Sequence, residues 1–511
     1  MPTYVPVIRE IPCPTSALAA FSAIRDRPGA ILLESGTREP KLGRWSFLAY
    51  GPFLTFRSKE RRIEIRRAAG IEVREGDPFA VLRDLVCDIH IERPPEAPPL
   101  IAGAMGYFGY DLGRFVERIP EETLDDVPVA DCHLGFYGAV AAIDHVENRS
   151  YVSAIGAPET DSRAAKRLAE ARIEDLTARL ASASSDPVVA ARKSGGHAEM
   201  ARSPEATAMA AEGLATCPPH TGRSQAPALR ISSNFTHDEY IVALRRVKDY
   251  IAAGDIYQVN LSQRLSAPLA TTSFDLYCRL AHTNPAPFAA YFETPDGAIV
   301  SCSPERFLQV RGREVETRPM KGTRPRGATP QEDARLAAEL LDSEKDRAEN
   351  VMIVDLERND LGRVCEFGSV HVPELFVLEP YATVHQLVST VRGCLRADAT
   401  ALDCLRASFP GGSITGAPKV RSMEIIEELE PTRRGVYTGS IGYLCFSGDM
   451  DASIVIRTLV IKDGIAHFQV GGGIVAYSGL EAEYQETLDK AVALARALAA
   501  EAGTEEIQWP Q

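Results

Sequence analysis

The chain has 511 residues, of which 45% are hydrophobic, and its formal net charge is −14. A chain of this length can bury a large core and is expected to form more than one structural unit, and its acidic balance without a long basic stripe argues against a nucleic-acid binder. Its 10 cysteines form no CxxC pair, the N-terminus has no secretory signal, and no apolar run approaches the roughly 20 residues of a membrane helix, so we expect a soluble cytoplasmic protein.

The first 180 residues are dense in strand patterns. Short apolar or alternating runs, separated by glycine and proline, lie at 30–35, 45–51, 53–58, 62–67 and 134–145, and residues 161–182 suit one helix. Between 181 and 230 the composition changes to Ala, Ser, Pro and Gly, which predicts a linker or an insertion. We therefore divide the chain into an N-terminal region (1–180), this linker (181–230) and a C-terminal region (231–505).

The C-terminal region mixes helices with strands. Helical periodicity predicts helices over 237–254, 330–341, 343–358 and 480–501, and turn residues predict three or four antiparallel strands over 436–475. Strands and helices do not alternate as βαβ units. The pattern therefore favours an α+β fold, in which two antiparallel β-sheets pack as a sandwich with flanking helices.

Two of the predicted helices each carry a pair of acids three residues apart. Asp346 and Glu349 share a face of one helix, and Glu483 and Glu486 share a face of the other. Four carboxylates on facing helices suit a hard cation such as Mg²⁺, but acids at this spacing also occur on solvated helix faces. Both interpretations stay open on spacing alone.

Other candidate features are two glycine-rich segments and two isolated basic residues. The segments 410-PGGSITGAPKVRS and 471-GGGIV can bring backbone N–H groups close to an anion, or serve as structural turns. Arg457 lies in the middle of a predicted strand and needs an anion, which is either a ligand carboxylate or a structural partner. His385 is either a general acid–base group or a core histidine.

The stretch 317-TRPMKGTRPRG gathers Lys321 with Arg318, Arg324 and Arg326. Basic turns of this kind are commonly solvated surface or a docking site for an anion. Alternatively, the like charges lower the pKa of the lysine, which is then partly neutral and nucleophilic near neutral pH. On this window alone the surface interpretation is favoured.

Ten motifs, in order across residues 231–500, resemble those of the chorismate-utilising enzymes. They are GDIYQVNLSQR, SPERF, TRPMKGTRPRG, DRAENVMIVDLERNDLGR, VHQLVST, PGGSITGAPKVRSMEIIEELEP, GSIGY, DASIVIRT, GGGIV and EYQETLDKA. Within the family the pattern is most similar to the aminodeoxychorismate synthase component I branch, which aminates chorismate for 4-aminobenzoate and folate synthesis. The resemblance implies the fold of anthranilate synthase component I, and a weaker match extends to 32-LLESG and 106-GYFGYDLGR.

The resemblance assigns roles to individual positions. Glu349 and Glu486 match the family's Mg²⁺ ligands, with Asp346 and Glu483 as outer carboxylates. The positions that match residues of the chorismate site are Gly322, Thr323, Thr415, Tyr437, Arg457, Gly471, Gly472 and Gly473, together with His385 as a candidate catalytic group. Gln258 stands where the water-adding relatives carry a lysine base, which favours ammonia as the nucleophile.

The resemblance also gives Lys321 a role. Anthranilate synthases normally carry alanine at this position, whereas aminodeoxychorismate synthases are similar to this chain in carrying lysine. Lys321 would attack C2 of chorismate and expel the C4 hydroxyl, and ammonia would then attack C4 and expel the lysine. Glu305 matches the family's acid–base residue and would protonate the departing hydroxyl. The alternative within the family is anthranilate synthase component I, which aminates C2 directly.

Two further expectations concern partners and a second ligand. No glutaminase pattern is recognisable in the sequence, so ammonia is expected to come from a separate glutamine amidotransferase subunit. The LLES motif and the NPAPF segment resemble the tryptophan site of anthranilate synthases, and tryptophan binding or a plain strand end are both open here. The positions concerned are Ser35, Leu42, Gly43, Arg44, Trp45, Pro287, Phe288 and Ala289.

Overall fold

The protein is represented by a computed structural model that describes residues 3–37, 41–183, 227–381 and 384–510. The α-helices in these ranges are α1 (Ala17–Ser22), α2 (Pro78–Cys87), α3 (Ser162–Ala183), α4 (His237–Ala253), α5 (Ser273–Thr283), α6 (Pro330–Asp342), α7 (Glu344–Gly362), α8 (Ala401–Ser408), α9 (Lys419–Leu429) and α10 (Leu480–Glu501). Two 3₁₀ turns lie at Tyr110–Phe115 and Gly412–Ile414.

The strands of the N-terminal half are β1 (Thr3–Tyr4), β2 (Val7–Ile11), β3 (Ile31–Glu34), β4 (Trp45–Ala49), β5 (Leu54–Lys59), β6 (Arg62–Arg67), β7 (Gly70–Glu75), β8 (His90–Ile91), β9 (Gly103–Phe108), β10 (Cys132–Tyr137), β11 (Ala139–Asp144) and β12 (Arg149–Ala154). Those of the C-terminal half are β13 (Leu229–Arg230), β14 (Ser232–Ser233), β15 (Gln258–Pro268), β16 (Phe288–Thr294), β17 (Gly297–Ser303), β18 (Arg306–Arg311), β19 (Glu314–Thr317), β20 (Met320–Pro325), β21 (His371–Pro380), β22 (Val384–Cys394), β23 (Gly416–Ala417), β24 (Ser440–Cys445), β25 (Met450–Ile454), β26 (Thr458–Lys462), β27 (Ile465–Ile474) and β28 (Ile507–Gln508).

Two large antiparallel sheets form the centre of the molecule. Sheet I has the strand order β14-β15-β27-β26-β17-β16-β3-β4-β11-β12-β2, with β23 paired to β15. Sheet II has the order β20-β22-β19-β18-β25-β24-β9-β10-β5-β6-β7. Strands β19 and β20 pair with one edge of β22, and β21 pairs with its opposite edge. Both halves of the sequence build both sheets, because β16 pairs with β3 in sheet I and β24 pairs with β9 in sheet II.

The main hydrophobic core lies between the two sheets. Phe292 of sheet I stacks on Tyr107 of sheet II at 6.2 Å between ring centroids, and Phe47 meets Tyr443 at 5.2 Å. Buried residues of α1, α3, α5 and α10 cover the outer face of sheet I, and those of α7 and α8 join the core of sheet II. The α+β sandwich with flanking helices is therefore confirmed.

The predicted helices are confirmed, and their ends follow local rules. Thr236 and Glu239 form a capping box at the start of α4, and Gly254 ends this helix with φ of 84°, the left-handed conformation that glycine adopts without strain. The linker predicted over 181–230 lies almost entirely outside the described residues. No helix of the described ranges is both long and apolar enough to span a membrane.

The position of Arg457 differs from the sequence prediction. The apolar run 453-SIVIRTLVIK predicts one strand with Arg457 at its centre, but β25 belongs to sheet II and β26 to sheet I. The chain crosses between the sheets at residues 455–457, where Arg457 takes φ of 50°. Val455 before the crossing and Leu459 after it are both buried in hydrophobic clusters, so hydrophobicity gives no sign of the break.

Candidate active site

Lys321 and Glu305 meet at a buried serine. Lys321 lies on β20, and its Nζ donates a hydrogen bond to the main-chain oxygen of Ser413 over 3.2 Å. The Ser413 hydroxyl donates to Oε1 of Glu305 over 2.8 Å. Glu305 is 7% exposed and Ser413 is 4% exposed. One residue of the glycine-rich loop thus holds the predicted nucleophile and the predicted acid in a single hydrogen-bonded group.

Burial pushes both of these groups toward their neutral forms. It raises the pKa of the Glu305 carboxyl and lowers the pKa of the Lys321 amine. The attraction between Glu305 and Lys321 opposes both shifts, while the charge of Lys490 lowers the lysine pKa further. A neutral amine beside a protonated acid is the combination that nucleophilic attack with acid assistance requires.

The arginines around Lys321 are not among the largest causes of its pKa shift. Each of the three has a nearby carboxylate: Arg318 lies 2.5 Å from Glu379, Arg324 lies 3.1 Å from Asp346, and Arg326 lies 2.8 Å from Asp333. Burial is the largest cause that lowers the pKa of Lys321, and the charge of Lys490 lowers it further, while each of these guanidinium groups has a carboxylate beside it.

Acids of α7 and α10 act on one common neighbour, Tyr477. The Tyr477 hydroxyl donates to Oε1 of Glu349 over 3.0 Å, and burial together with carboxylates from both helices raises the pKa of this hydroxyl. A Cβ atom on Gly472 would lie 3.1 Å from Oε2 of Glu483 and 3.8 Å from Oε1 of Glu486. The two glutamates of α10 therefore share one space beside strand β27.

The carboxylates of α7 and α10 fit Mg²⁺ if water and an anionic substrate complete the coordination. Within the described ranges, no three His, Cys, Asp or Glu side chains are close enough to hold a metal by themselves. Glu486 is paired with Lys490 at 2.8 Å. Glu349 and Glu486 can contribute carboxylate oxygens, with water and an anionic substrate as the remaining ligands, which is the coordination that Mg²⁺ prefers in enzymes.

Two glycines of the predicted site are closely packed. Gly322 has φ of +89°, and a Cβ there would lie 2.9 Å from Cβ of Asp346. A Cβ on Gly473 would lie 2.2 Å from Nε2 of Gln258. Gln258 is fully buried, and neither Nε2 nor Oε1 has a hydrogen-bond partner among the described residues. Leaving a buried amide unpaired is costly, which favours a polar ligand at this position.

We expect Gly322→Ala to destabilise the protein by about 1–3 kcal/mol and to reduce turnover at least about tenfold. The methyl group conflicts with the positive φ and with Asp346, and the adjacent Lys321 is displaced. Thermal melting and the rate of turnover measure the two effects. Gly312→Ala is the matched control, because Gly312 also has positive φ (59°) but has open space around it. Equal losses of turnover in both variants would contradict the packing argument.

Arg457 forms no ion pair with a carboxylate of the described residues. Burial lowers the pKa of its guanidinium, and no carboxylate of the described residues acts on it. Within the described ranges the guanidinium therefore has no structural ion pair, which favours a ligand anion. Thr415 is fully buried and donates its hydroxyl to the main-chain oxygen of Gly411 over 2.9 Å. The guanidinium carbon of Arg434 lies over the ring of Tyr437, 5.7 Å from the ring centroid.

His385 lies on the strand beside Lys321 but contacts different groups. It is opposite Arg324 in the β20–β22 pair, and Thr323 is opposite Gln386. Its Nε2 is 2.9 Å from Oδ1 of Asp333, and its buried Nδ1 has no partner in the described residues. No hydrogen bond joins His385 to Lys321 or Glu305 in those residues, so its catalytic role stays a prediction.

Six of the eight predicted tryptophan positions border a cavity of about 240 Å³ between the sheets. Its lining includes Leu42, Arg44, Trp45, Pro287, Phe288 and Ala289, together with Glu34, Arg306 and Asp451. Ser35 and Gly43 do not line it. The Ser35 hydroxyl donates instead to the main-chain oxygen of Thr37 over 2.8 Å.

Sequence patterns did not identify three residues that the structure adds to the site. Ser413 lies within the motif PGGSITGAPKVRSMEIIEELEP, but its contacts are distant in the sequence. Its main-chain oxygen contacts Lys321, 92 residues away, and its hydroxyl contacts Glu305, 108 residues away. Lys490 follows Glu486 by four residues, a helical ion-pair spacing that could have identified it. Tyr477 has no local signal, because its contact with Glu349 joins residues that are 128 positions apart in the sequence.

Comparisons with known proteins are consistent with this geometry. The family of chorismate binding enzymes matches residues 30–496. Aminodeoxychorismate synthase component 1 of Klebsiella aerogenes is 40% identical over 93% of this chain and 95% of its own. Anthranilate synthase component 1 of Thermus thermophilus is also 40% identical, over 96% of each chain. The crystal structure of anthranilate synthase component I from Streptococcus pneumoniae TIGR4 has a TM-score of 0.70 at 32% identity, covering 89% of this chain and 92% of that one.

Proposed function

The chain belongs to the family of chorismate binding enzymes, and from this premise we propose that it aminates chorismate at C4 to give 4-amino-4-deoxychorismate, the precursor of 4-aminobenzoate in folate synthesis. The observation that carries the proposal is the hydrogen-bonded group of Lys321, Ser413 and Glu305. Direct amination at C2 needs no nucleophile from the protein. Amination at C4 by two successive displacements does need a nucleophile from the protein, and the two steps together retain the configuration at C4.

The neutral Lys321 amine attacks C2, the ring double bond shifts, and the C4 hydroxyl leaves with the proton of Glu305 as water. Ammonia then attacks C4, the double bond shifts back, and the lysine leaves. Glu305 recovers its proton from the new ammonium group. Chorismate and ammonia are thus converted to aminodeoxychorismate and water.

Substrate anions are proposed to bind at Arg457 and beside α7 and α10. Arg457 has no carboxylate partner in the part of the chain that the structure describes, and its guanidinium can offer two parallel N–H donors to a ligand carboxylate. Glu349 and Glu486, with Asp346 and Glu483 behind them, are the residues that would hold Mg²⁺. The ion would supply a positive charge that neutralises the ring carboxylate. The unpaired amide of Gln258 suits an incoming ammonia molecule, since it can donate and accept hydrogen bonds.

Ammonia is proposed to come from a separate glutamine amidotransferase subunit in the cytoplasm. The relatives are named component 1, which implies a second component in those enzymes. Gln258 in place of a lysine base is consistent with ammonia as the nucleophile rather than water.

Anthranilate synthase component I remains the second candidate, because relatives of both names are 40% identical to this chain. Product identity distinguishes them. We expect purified protein with chorismate, Mg²⁺ and ammonium to yield a product that a 4-aminobenzoate-forming lyase converts to 4-aminobenzoate. Fluorescent anthranilate as the main product would falsify the C4 assignment.

We also propose that the cavity near Trp45 binds L-tryptophan. Its walls combine the apolar surfaces of Leu42, Pro287 and Phe288 with the ion pair of Arg306 and Asp451, which suits an aromatic amino acid. Calorimetry is expected to show saturable binding of tryptophan that Leu42→Trp abolishes by filling the space, with phenylalanine as the control ligand. No heat and no rise in melting temperature at millimolar tryptophan would remove this assignment.

A further inference from the structure

Lys490 of α10 lies among the carboxylates that are proposed to hold Mg²⁺. Its Nζ is 2.8 Å from Oε1 of Glu486, one helical turn earlier on the same helix. The same Nζ donates a hydrogen bond over 2.8 Å to the main-chain oxygen of Gly471 on β27. Two contacts therefore fix this ammonium group next to a carboxylate that is a proposed metal ligand.

The ammonium group of Lys490 shares a small space with the glutamates of α10. A Cβ atom on Gly472 would lie 4.0 Å from Nζ of Lys490. The same point is 3.1 Å from Oε2 of Glu483 and 3.8 Å from Oε1 of Glu486. Mg²⁺ binds oxygen at about 2.1 Å, so an ion on Oε1 of Glu486 would lie at most about 5 Å from the ammonium. Charges of the same sign repel each other at such a distance.

The other proposed ligand, Glu349 of α7, has a lysine at the same spacing. Nζ of Lys345 lies 4.0 Å from Oε1 of Glu349, and the Lys345 side chain is 54% exposed. Lys490 is closer to its glutamate and less exposed, at 38%. Because solvent and salt screen a charge less when it is less exposed, Lys490 is expected to have the larger effect on a bound cation.

We propose that Lys490 makes the binding of a divalent cation at Glu349 and Glu486 depend on an anionic ligand. The proposal rests on the Mg²⁺ site of the proposed function and adds a reason why cation and substrate bind together. Without the ligand, the positive charge of Lys490 opposes a second cation at Glu486. A ligand carboxylate brings negative charge to the site, which offsets this repulsion. Because such coupling is reciprocal, the cation also tightens the binding of the anionic ligand.

The test measures cation binding directly. Mn²⁺ takes the same oxygen ligands as Mg²⁺, and electron paramagnetic resonance counts the free ion. The full chain is titrated with Mn²⁺ alone and with chorismate present, and ammonium is omitted. For the wild type we expect chorismate to raise the Mn²⁺ affinity at least about tenfold. Lys490→Met is expected to bind Mn²⁺ alone at least about tenfold more tightly than the wild type, and to gain less than about threefold from chorismate.

Three further variants isolate the charge. Lys490→Arg keeps it and is expected to behave like the wild type. Lys490→Gln removes it but can still donate to Gly471, so it should behave like Lys490→Met and decides the test if Lys490→Met does not fold. Lys166→Met is the matched control, because Lys166 pairs with Glu170 over 3.9 Å at the same i, i+4 spacing on α3. It is expected to leave Mn²⁺ binding unchanged.

The proposal is overturned if the uncharged variants bind Mn²⁺ no more tightly than the wild type, or if chorismate raises their affinity as much as it does in the wild type. It is also overturned if the wild type binds no Mn²⁺ with chorismate present. Product analysis with ammonium tests the C4 assignment separately. Anthranilate as the product would contradict that assignment, while the Mn²⁺ affinities would still report on Lys490.

Discussion

Lys321→Ala is expected to reduce ammonium-dependent turnover of chorismate by at least about 10³-fold, because it removes the nucleophile and not merely a binding contact. The amine is well placed for this role, since Ser413 fixes its position and burial lowers its pKa. Kinetics with saturating chorismate measure the effect on kcat, and a fluorescence assay detects any anthranilate formed by direct amination.

Lys321→Arg is the informative companion variant. Arginine keeps the positive charge but cannot become neutral, so it should be as inactive as alanine if Lys321 is the nucleophile. If Lys321 only binds an anion, arginine should restore most of the activity. Mass spectrometry of enzyme stopped during turnover should find a chorismate-derived adduct on Lys321. Wild-type rates in Lys321→Ala would rule out the covalent route but leave direct amination possible.

The pH dependence follows from the directions of the two shifts. Lowering the pKa of Lys321 moves the onset of the neutral amine to lower pH than for a free lysine, so kcat should rise with pH through that lowered value. Raising the pKa of Glu305 keeps its proton available to higher pH than for a free glutamate. Burial produces both shifts. One buried site therefore holds the neutral amine of Lys321 as a nucleophile beside the protonated carboxyl of Glu305 as an acid.

Local sequence patterns predicted the parts of this protein whose structure is decided locally. The helices followed from periodicity and capping residues, as at Thr236 and Gly254. The crossing at Arg457 was missed because an apolar run looks the same whether it stays in one sheet or enters a second. Predicting it requires knowing which strands become neighbours.

The site shows the same limit. The acids of α7 and α10 could be paired from their spacing, because each pair lies on one helix. The cause of the Lys321 pKa shift could not be predicted from the sequence, because the nearby arginines pair with Glu379, Asp346 and Asp333 from other segments. Nor could spacing distinguish Glu357, which is 7% exposed, from the exposed acids of the same helix.

Arg434→Met is expected to lower the free energy of unfolding by about 3–5 kcal/mol, because it leaves Glu430 buried without its cation. Both side chains are 2% exposed and 2.7 Å apart. Arg434 also donates to the main-chain oxygens of Ile414 and Asn260, and Glu430 accepts from the backbone and hydroxyl of Ser262. The pair therefore joins the glycine-rich loop to the strand that carries Gln258.

Equilibrium denaturation in urea measures this loss, and Arg421→Met is the control. Arg421 pairs with Asp255 and Glu424 at the surface, so its replacement should cost less than about 1 kcal/mol. Adding Glu430→Leu to Arg434→Met should recover part of the stability, since the stranded charge is removed, although the Ser262 donors then lose their acceptor. If Arg434→Met and Arg421→Met were equally stable, the buried pair would not support the site, and the loop that positions Lys321 and Glu305 would have to be held by its hydrophobic contacts alone.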